Sequence, residues 1–180
     1  AVAVSAAHGL DWAMIAKALS TFKGLWRRFE RVGRMQNTRA LVISDYAHHP
    51  TAIKETLLAA SQFYPRARLV VVFQPHHVDR TIKLFDEFVA SLIPAPVLIV
   101  NEIYQVSGRE DGSENMSSEK LVAEIKKHSA QDKPIFYAGD LQSSYELVEK
   151  IAKPRDVILV MGAGDIDKVA RKLVNPNTNL

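Results

Sequence analysis

The sequence predicts an α/β fold built on an open, doubly wound and mainly parallel sheet, preceded by a short helical segment. Five short runs of mostly β-branched or aromatic residues are apolar at consecutive positions, which is typical of strands covered on both faces. Segments with helical periodicity lie between and after these runs. Regular alternation of strand and helix is typical of Rossmann-like sheets.

The first 34 residues predict helices before the main domain. The opening AVAVSAAHGL begins inside a helix that His8-Gly9 would end. Apolar residues then recur at helical spacing at Trp12, Ile15, Ala16 and Leu19. The basic segment Phe22 to Arg34 follows. We therefore expect a helical remnant over 1–34 and the main domain over 35–180.

The main domain shows five strands in order. They are Leu41 to Ile43, Leu69 to Phe73, Val97 to Val100, Ile135 to Tyr137 and Val157 to Met161. Helical spacing follows, most cleanly at Ile166, Val169, Ala170, Leu173 and Val174, and also at Ile82, Phe85, Val89 and Leu92. The polar stretch Ser107 to Ser118, with two glycines, is typical of a loop.

Composition excludes several classes of protein. A chain of 180 residues with 47% hydrophobic content can bury one sizeable core. Without cysteine there is neither a disulfide framework nor a thiolate metal site, which suits a reducing cytoplasm. No apolar run approaches the ~20 residues of a membrane-spanning helix. A net charge of +3 is small for a nucleic-acid binder. We expect a cytoplasmic protein that binds neither nucleic acid nor membrane.

Candidate site residues follow two neighbouring strands. The first loop is Asp45 to Thr51 and the second is Gln74 to Thr81, and together they hold four of the six histidines. Because the carboxyl ends of parallel strands share one edge, these loops should meet there. The candidates are Asp45, Tyr46, His48, His49, His76, His77 and Arg80.

Several of these candidates also have a structural interpretation. Asp79 is favoured as a helix N-cap, whereas Asp45 is favoured as functional because Pro50 already suits the first position of the next helix. Each histidine alone is more often structural than functional, but the concentration favours a site. Arg80 either lies on a solvated helix face or binds a carboxylate through its planar guanidinium.

The glycine motif after the last strand is a weak dinucleotide signal. Asp167 stands where a third glycine would be needed, and the motif Gly162-Ala163-Gly164-Asp165 follows the last strand rather than the first. A tight turn that lets another backbone or a phosphate approach is favoured instead. The chain has no GxxxxGK[ST] motif, so any principal phosphate cradle for ATP lies outside it.

Four motifs in order resemble the signatures of the Mur ligases, in the branch that joins L-alanine to UDP-N-acetylmuramate. They are FKGLWRRFERVG from Phe22, DYAHHPT from Asp45, FQPHHVDRT from Phe73 and MGAGDI from Met161. The resemblance implies a third, amino-acid-binding domain of a peptidoglycan ligase, with the end of a central ATPase domain before it. The N-terminal and central domains would be missing, so the chain alone should be inactive, and a homodimer through the helical remnant is left open.

The resemblance also assigns roles to residues. Such ligases transfer the γ-phosphate of ATP, with Mg²⁺, to the muramoyl carboxylate, and the amine of alanine then attacks the acyl phosphate. By motif, Arg28 is similar to an arginine that reaches the ATP phosphates, and Asp45 to an aspartate that holds the ribose. Tyr46 and His48 would line the nucleotide side, with Arg28 and His48 taken as catalytic. His76, His77 and Arg80 would receive the amino acid, Arg80 by pairing with its carboxylate.

Two departures from the family pattern and three alternatives accompany this interpretation. Ser44 stands where the family usually has Asp, which leaves the key acid Asp45 in place. His77 stands where the family usually has Arg, which removes one guanidinium from the amino-acid pocket and leaves Ala, Gly or Ser as the amino acid. The alternatives are a murein peptide recycling ligase, a metal-dependent hydrolase using Asp45 and the four loop histidines, and a non-catalytic nucleotide-binding module.

Overall fold

A single sheet organises the molecule. The computed structural model describes residues 1–105 and 116–180 and shows, within them, six strands. These are β1 (Glu30–Arg34), β2 (Leu41–Asp45), β3 (Leu69–Phe73), β4 (Val97–Asn101), β5 (Ile135–Gly139) and β6 (Val157–Met161). Their order in the sheet is β1-β2-β6-β3-β4-β5, and every neighbouring pair is parallel except β1 with β2. The predicted doubly wound, mainly parallel α/β fold is confirmed.

Helices cover both faces of this sheet. In chain order they are α1 (Val2–Ala7), α2 (Trp12–Thr21), α3 (Pro50–Phe63), α4 (Val78–Lys83), α5 (Phe85–Leu92), α6 (Ser118–Lys127), α7 (Leu141–Ile151) and α8 (Asp167–Val174). One core contains Leu57 of α3, Phe88 of α5 and Leu121 of α6. The other contains Val148 of α7 and Leu173 of α8. Since β2, β3, β4 and β6 are buried at every position, both faces of the sheet's centre are covered.

Most of the predicted elements are present. All five predicted strands form, and α3 begins at Pro50 as expected. The first helix ends before His8, and Gly9 adopts a left-handed φ of 75°. Asp11 caps α2 by accepting the backbone N–H of Ala13 at 2.8 Å.

Residues 30–34 form a strand, which corrects the helical interpretation of the segment 22–34. Strand β1 pairs antiparallel with β2 at the sheet edge, with an irregularity between Arg31 and Gly33. No residue of this strand is fully buried, which allows its sequence, ERVGR, to be largely polar. Gly33 lies against α8, where an added Cβ would be 2.6 Å from Val174. A polar edge strand of this kind lacks the run of apolar residues that reveals a central strand.

One further prediction about the second loop is wrong. Asp79 is not an N-cap: α4 begins at Val78, and Asp79 lies in its first turn. The helical spacing predicted at Ile82, Phe85, Val89 and Leu92 is confirmed, although these residues belong to two helices, α4 and α5, which are separated at Leu84. The predicted loop over 107–118 lies outside the described residues up to 115, and α6 begins at Ser118.

The amino-terminal helices have little buried surface. Helix α1 buries no residue and α2 buries only Ile15, while Trp12 and Met14 are exposed. Within residues 1–105 and 116–180, none of the helices has the length and apolarity needed to cross a membrane.

This contrast predicts unequal local stability. Helix α8, although shorter than α2, buries Val169, Ala170 and Leu173 against the sheet. The hydrogen-bonded amides of α2 should exchange with solvent about a hundredfold faster than those of α8, because little burial opposes their opening. Hydrogen-exchange mass spectrometry or NMR checks this, with Val71 in β3 as the reference for global unfolding. Exchange in α2 as slow as at Val71 would contradict the expectation.

Candidate functional site

Three strand ends converge to form the candidate site. Asp45 at the end of β2 and Phe73 at the end of β3 both pair with Met161 at the end of β6. The loops that follow these strands are therefore neighbours, as the parallel sheet predicts. The two histidine-rich loops and the glycine motif meet at one edge of the sheet.

Asp45 connects this edge to the segment before β1. Its carboxylate is largely buried and accepts the backbone N–H of Phe29 at 2.7 Å and that of Ala47 at 2.8 Å. It does not cap α3, because His49 does so by accepting the N–H of Thr51 at 3.3 Å. His49 is exposed and serves as a cap, apart from the other histidines.

Residues 25–29 form a turn that we call the basic turn. Arg27 and Phe29 have left-handed φ angles of 52° and 47°, which are costly for residues with a side chain. The turn is held in place because the Tyr46 N–H donates to the carbonyl of Arg27 at 2.8 Å and Phe29 donates to Asp45. This conformation directs the two adjacent arginines differently: Arg27 is buried and Arg28 is exposed.

Both arginines of the basic turn lie against the ring of Tyr46. The guanidinium carbon of Arg28 is 5.2 Å from the ring centroid and that of Arg27 is 4.9 Å away. Arg27 also donates from Nη2 to the carbonyl of Gly162. Arg28, the predicted phosphate-binding residue, is therefore an exposed cationic group at the rim, while Arg27 is buried in the wall.

The predicted histidines form one aromatic cluster. Ring centroids are 5.2 Å apart for Tyr46 and His48, 6.1 Å for His48 and His76, and 4.1 Å for His76 and His77. His48 Nδ1 is 2.9 Å from the Tyr46 carbonyl oxygen, which fixes its ring. Tyr104 stacks on the other face of the cluster, 5.3 Å from His76.

The environment keeps two of these imidazoles neutral. Burial, aided by the neighbouring His77 and Arg80, lowers the pKa of His76 to about 4. Burial also lowers the pKa of His48 below its usual value, although its contact with the Tyr46 carbonyl opposes that shift. Near pH 7 both rings are therefore neutral and can accept a hydrogen bond, but His76 is a weak base.

Three buried polar atoms at this edge have no hydrogen-bond partner among the described residues. They are Arg80 Nη1, His76 Nδ1 and Arg27 Nε. Leaving a buried polar group unpaired costs roughly 1–3 kcal/mol, more when it is charged. A donor on Arg80 and a nitrogen on His76 are therefore ready to pair with a ligand that carries both an acceptor and an amine.

The glycine motif provides close packing. An added Cβ would lie 2.9 Å from the Gln74 carbonyl oxygen at Gly162 and 2.5 Å from the Tyr104 ring at Gly164. Gln74 also accepts the N–H of Ile166 at 3.2 Å through its side chain. The prediction of a tight turn that admits another backbone is confirmed, and it is the loop after β3 that approaches.

The predicted ligand set of a metal-dependent hydrolase is not assembled. Within the two described stretches, no three side chains among His, Asp and Glu are grouped so that they could hold a metal ion. Both oxygens of Asp45 already accept backbone N–H groups, and His49 points into α3. The geometry does not favour the hydrolase alternative.

The sequence interpretation missed several residues of this site. Tyr104 follows the end of β4 at the same edge of the sheet, so the rule of strand ends could have identified it. Arg27 stands next to Arg28 in the same motif, and nothing in the sequence separates their roles. Glu30 and Arg171 pair across the sheet edge at 2.7 Å, a contact between residues 141 positions apart that only the fold reveals.

Comparison with known proteins gives a consistent family. A model of the Mur ligase glutamate ligase domain matches residues 27–164. The UDP-N-acetylmuramate–L-alanine ligase of Persephonella marina is 35% identical over 173 residues, which are 96% of this chain and 36% of that relative. Its counterpart in Pelotomaculum thermopropionicum is 40% identical over 174 residues, with 97% and 36% covered. The chain thus spans little more than a third of the length of these relatives.

Solved structures agree with this result. The crystal structure of the UDP-N-acetylmuramate-alanine ligase MurC of Thermotoga maritima matches with a TM-score of 0.74 and 28% identity, over 96% of this chain and 34% of that one. A murein peptide ligase of Psychrobacter arcticus matches with a TM-score of 0.66 and 26% identity, over 87% and 31%.

The neutral state of His76 has a consequence for stability. Because folding lowers its pKa from 6.5 to about 4, the unfolded chain binds this proton more readily between those values. The contribution of His76 to the free energy of unfolding should be fully present above pH 6.5 and decline as the pH falls toward 4. NMR titration of the ring gives the pKa directly. Urea unfolding of His76→Phe should show a shallower decline over this window, and an unchanged decline would contradict the assignment.

Proposed function

The chain belongs to the Mur ligase family, and from this membership we propose that it is the amino-acid-binding and ATP-contacting domain of an ATP-dependent ligase. The reaction we propose is the joining of L-alanine to UDP-N-acetylmuramate in cytoplasmic peptidoglycan synthesis. Support comes from the relatives at 35% and 40% identity, which carry the name of that ligase. The remaining parts of the enzyme would correspond to the portion of those relatives that this chain does not cover.

One observation carries the assignment of the amino-acid side. Within the parts of the chain that the structure describes, Nη1 of Arg80 and Nδ1 of His76 are buried without a hydrogen-bond partner, and the ring of His76 is neutral near pH 7. An α-amino acid offers the complementary pair, a carboxylate for the guanidinium and an amine for the imidazole. Arg80 also lies close enough to lower the pKa of both His48 and His76. A carboxylate bound at Arg80 would therefore lie beside both rings.

The nucleotide side is assigned to the opposite wall of the same site. Arg28 is exposed above Tyr46 and is suited to the ATP phosphates. Tyr46 offers a ring face and His48 a neutral imidazole between the two sides. Asp45 would reach the ribose while it also fixes the basic turn. The described residues contain no group of three metal ligands, so Mg²⁺ would be held mainly by the phosphates and by residues outside this chain.

The proposed chemistry needs little from these residues beyond positioning and proton transfer. The amine of alanine attacks an acyl phosphate only after losing its ammonium proton. Within the site, burial keeps the imidazoles of His48 and His76 neutral, so both can orient the amine by accepting a hydrogen bond. His48 is the candidate proton acceptor, because a pKa of about 4 makes His76 too weak a base to take a proton from an ammonium group. Arg28 would stabilise charge on the departing phosphate.

The amino-terminal helices fit the same proposal. Exposed apolar residues on α2 and after it include Trp12, Met14, Phe22 and Trp26. We propose that α1 and α2 form the end of the central domain and pack against it, and that the isolated chain can form a homodimer through this surface.

The first functional prediction separates the chain from the whole enzyme. With ATP, Mg²⁺, UDP-N-acetylmuramate and L-alanine, the chain alone should release no phosphate, since it lacks a phosphate-loop motif. A hybrid in which it replaces the matching 36% of the Persephonella marina ligase should release phosphate and form the alanyl product. An active chain, or a folded hybrid that uses a murein tripeptide in place of alanine, would contradict the proposal.

The second functional prediction divides the roles of Arg80 and Asp45 in that hybrid. Arg80→Ala should raise the KM for L-alanine about ten- to a hundredfold, because it removes a charge-assisted contact of ~1.5–3 kcal/mol. The KM for ATP should hardly change. Asp45→Asn should show the reverse pattern. Arg66→Ala is the matched control, since Arg66 is exposed and precedes β3 at the opposite edge of the sheet.

Steady-state kinetics with each substrate varied in turn measure these effects. An Arg80→Ala variant impaired toward ATP rather than alanine would show that the amino-acid pocket is wrongly placed.

A further inference from the structure

Arg27 is a buried cation without an ion pair. Its exposed fraction is 6%, and in the described parts of the chain no carboxylate lies within salt-bridge distance of its guanidinium. Its side chain donates to the carbonyl of Gly162, and its Nε is buried with no hydrogen-bond partner in residues 1–105 and 116–180. Such a group is costly unless opposite charge lies nearby.

The nearby charge comes mainly from Asp167. Burial lowers the pKa of Arg27, and the carboxylate of Asp167 is the leading charge that opposes this shift, ahead of Asp45. Asp167 is the first residue of α8 and is itself 9% exposed.

Hydrogen bonds also connect Asp167 to the backbone of the basic turn. It accepts from Ser44 Oγ at 2.5 Å and from Arg171 Nε at 3.1 Å. Arg171 donates in turn to both oxygens of Glu30 at 2.8 and 2.7 Å. Glu30 accepts the backbone N–H of Arg27 at 2.8 Å. These hydrogen bonds therefore lead from Asp167 back to Arg27, the residue whose positive charge Asp167 balances.

We propose that Asp167 is a positioning residue of this site. Its carboxylate keeps the guanidinium of Arg27 buried against Gly162 and Tyr46. Through Arg171 and Glu30 it also holds the strained backbone from which Arg28 projects. Two carboxylates and two guanidinium groups make this cluster neutral overall, and loss of Asp167 leaves it positively charged inside the protein. Without Asp167, the side chain of Arg27 leaves its buried position and becomes exposed to water.

The importance of Arg28 for phosphate binding rests on the proposed function, but the position of Arg27 does not. It can be measured in this chain without any ligand. The hydrogen bond of 2.5 Å between Ser44 and Asp167 also allows a rescue of the Asp167 substitution, because swapping the two residues keeps a carboxylate beside a hydroxyl. An aspartate at position 44 facing a serine at position 167 returns the carboxylate to the same cluster from the strand instead of the helix.

The experiment follows the side-chain Nε–H of Arg27 by NMR in the 15N-labelled chain, identified by its absence in Arg27→Lys. Its exchange with water should become about tenfold faster or more in Asp167→Asn, the loss of roughly one charge-assisted contact. Asp156→Asn is the matched control, because Asp156 is an equally buried acid, 4% exposed, that pairs with Arg68 instead. It should destabilise the fold while leaving the Arg27 signal unchanged.

The double variant Ser44→Asp/Asp167→Ser, in which the two residues are swapped, should restore slow exchange of the Arg27 Nε–H with water. Ser44→Asp alone should destabilise the chain, because it places two carboxylates in contact. Unchanged Arg27 exchange in Asp167→Asn would overturn the proposal. If Asp167→Asn does not fold, the double variant decides. A slowly exchanging Arg27 Nε–H signal in the double variant supports the proposal, and loss of that signal or an unfolded chain overturns it. Ligase activity enters none of these readings, so failure of the proposed function would leave this result standing.

Discussion

The registered, side-by-side alignment of β2, β6 and β3 is the constraint on which the site depends. Asp45 and Phe73 both pair with Met161, so three loops leave the sheet at one level. Alternate residues of these strands pack into the two cores, and close packing against the helices on each face fixes that register. The burial of the core therefore determines which polar residues meet, although none of them contributes to it.

The basic turn adds residues from outside the parallel strands to the edge of the sheet that carries the site. Left-handed backbone at Arg27 and Phe29 costs roughly 1–2 kcal/mol for each residue. Asp45 offsets part of this cost by accepting the Phe29 N–H, and β1 then continues from the turn as the sheet's edge. One carboxylate thus serves the fold and faces the site, so a loss of function on replacing Asp45 would not by itself identify a ligand contact. A conservative substitution that keeps one acceptor is the informative one.

Much of the fold, and the location of the site, could be predicted from sequence because central strands and strand ends have strong signals. Runs such as LVVVF are apolar at every position, and four histidines in two loops are conspicuous. Strand β1 had no such signal, since an edge strand whose residues are at most partly buried resembles a polar linker. The roles of Arg27 and Arg28 could not be separated either, because a left-handed φ decides which one is buried. Asp79 resembled a cap only because the left-handed φ of 70° at His77, the actual N-cap two residues earlier, is invisible in sequence.

His77, which replaces the arginine usual in the family, also has a left-handed backbone. The N–H of His77 donates to the Tyr104 carbonyl at 3.1 Å and its ring meets that of His76 edge-on, so the side chain lies against the cluster. An imidazole is shorter than the guanidinium side chain usual in the family and forms no bidentate pair with a carboxylate. Of the two residues, only Arg80 can therefore form a bidentate pair with a carboxylate. Tyr104, stacked on His76 and packed against Gly164, fixes the ring that faces this guanidinium, so the pocket's shape depends on the loops after β3, β4 and β6 together.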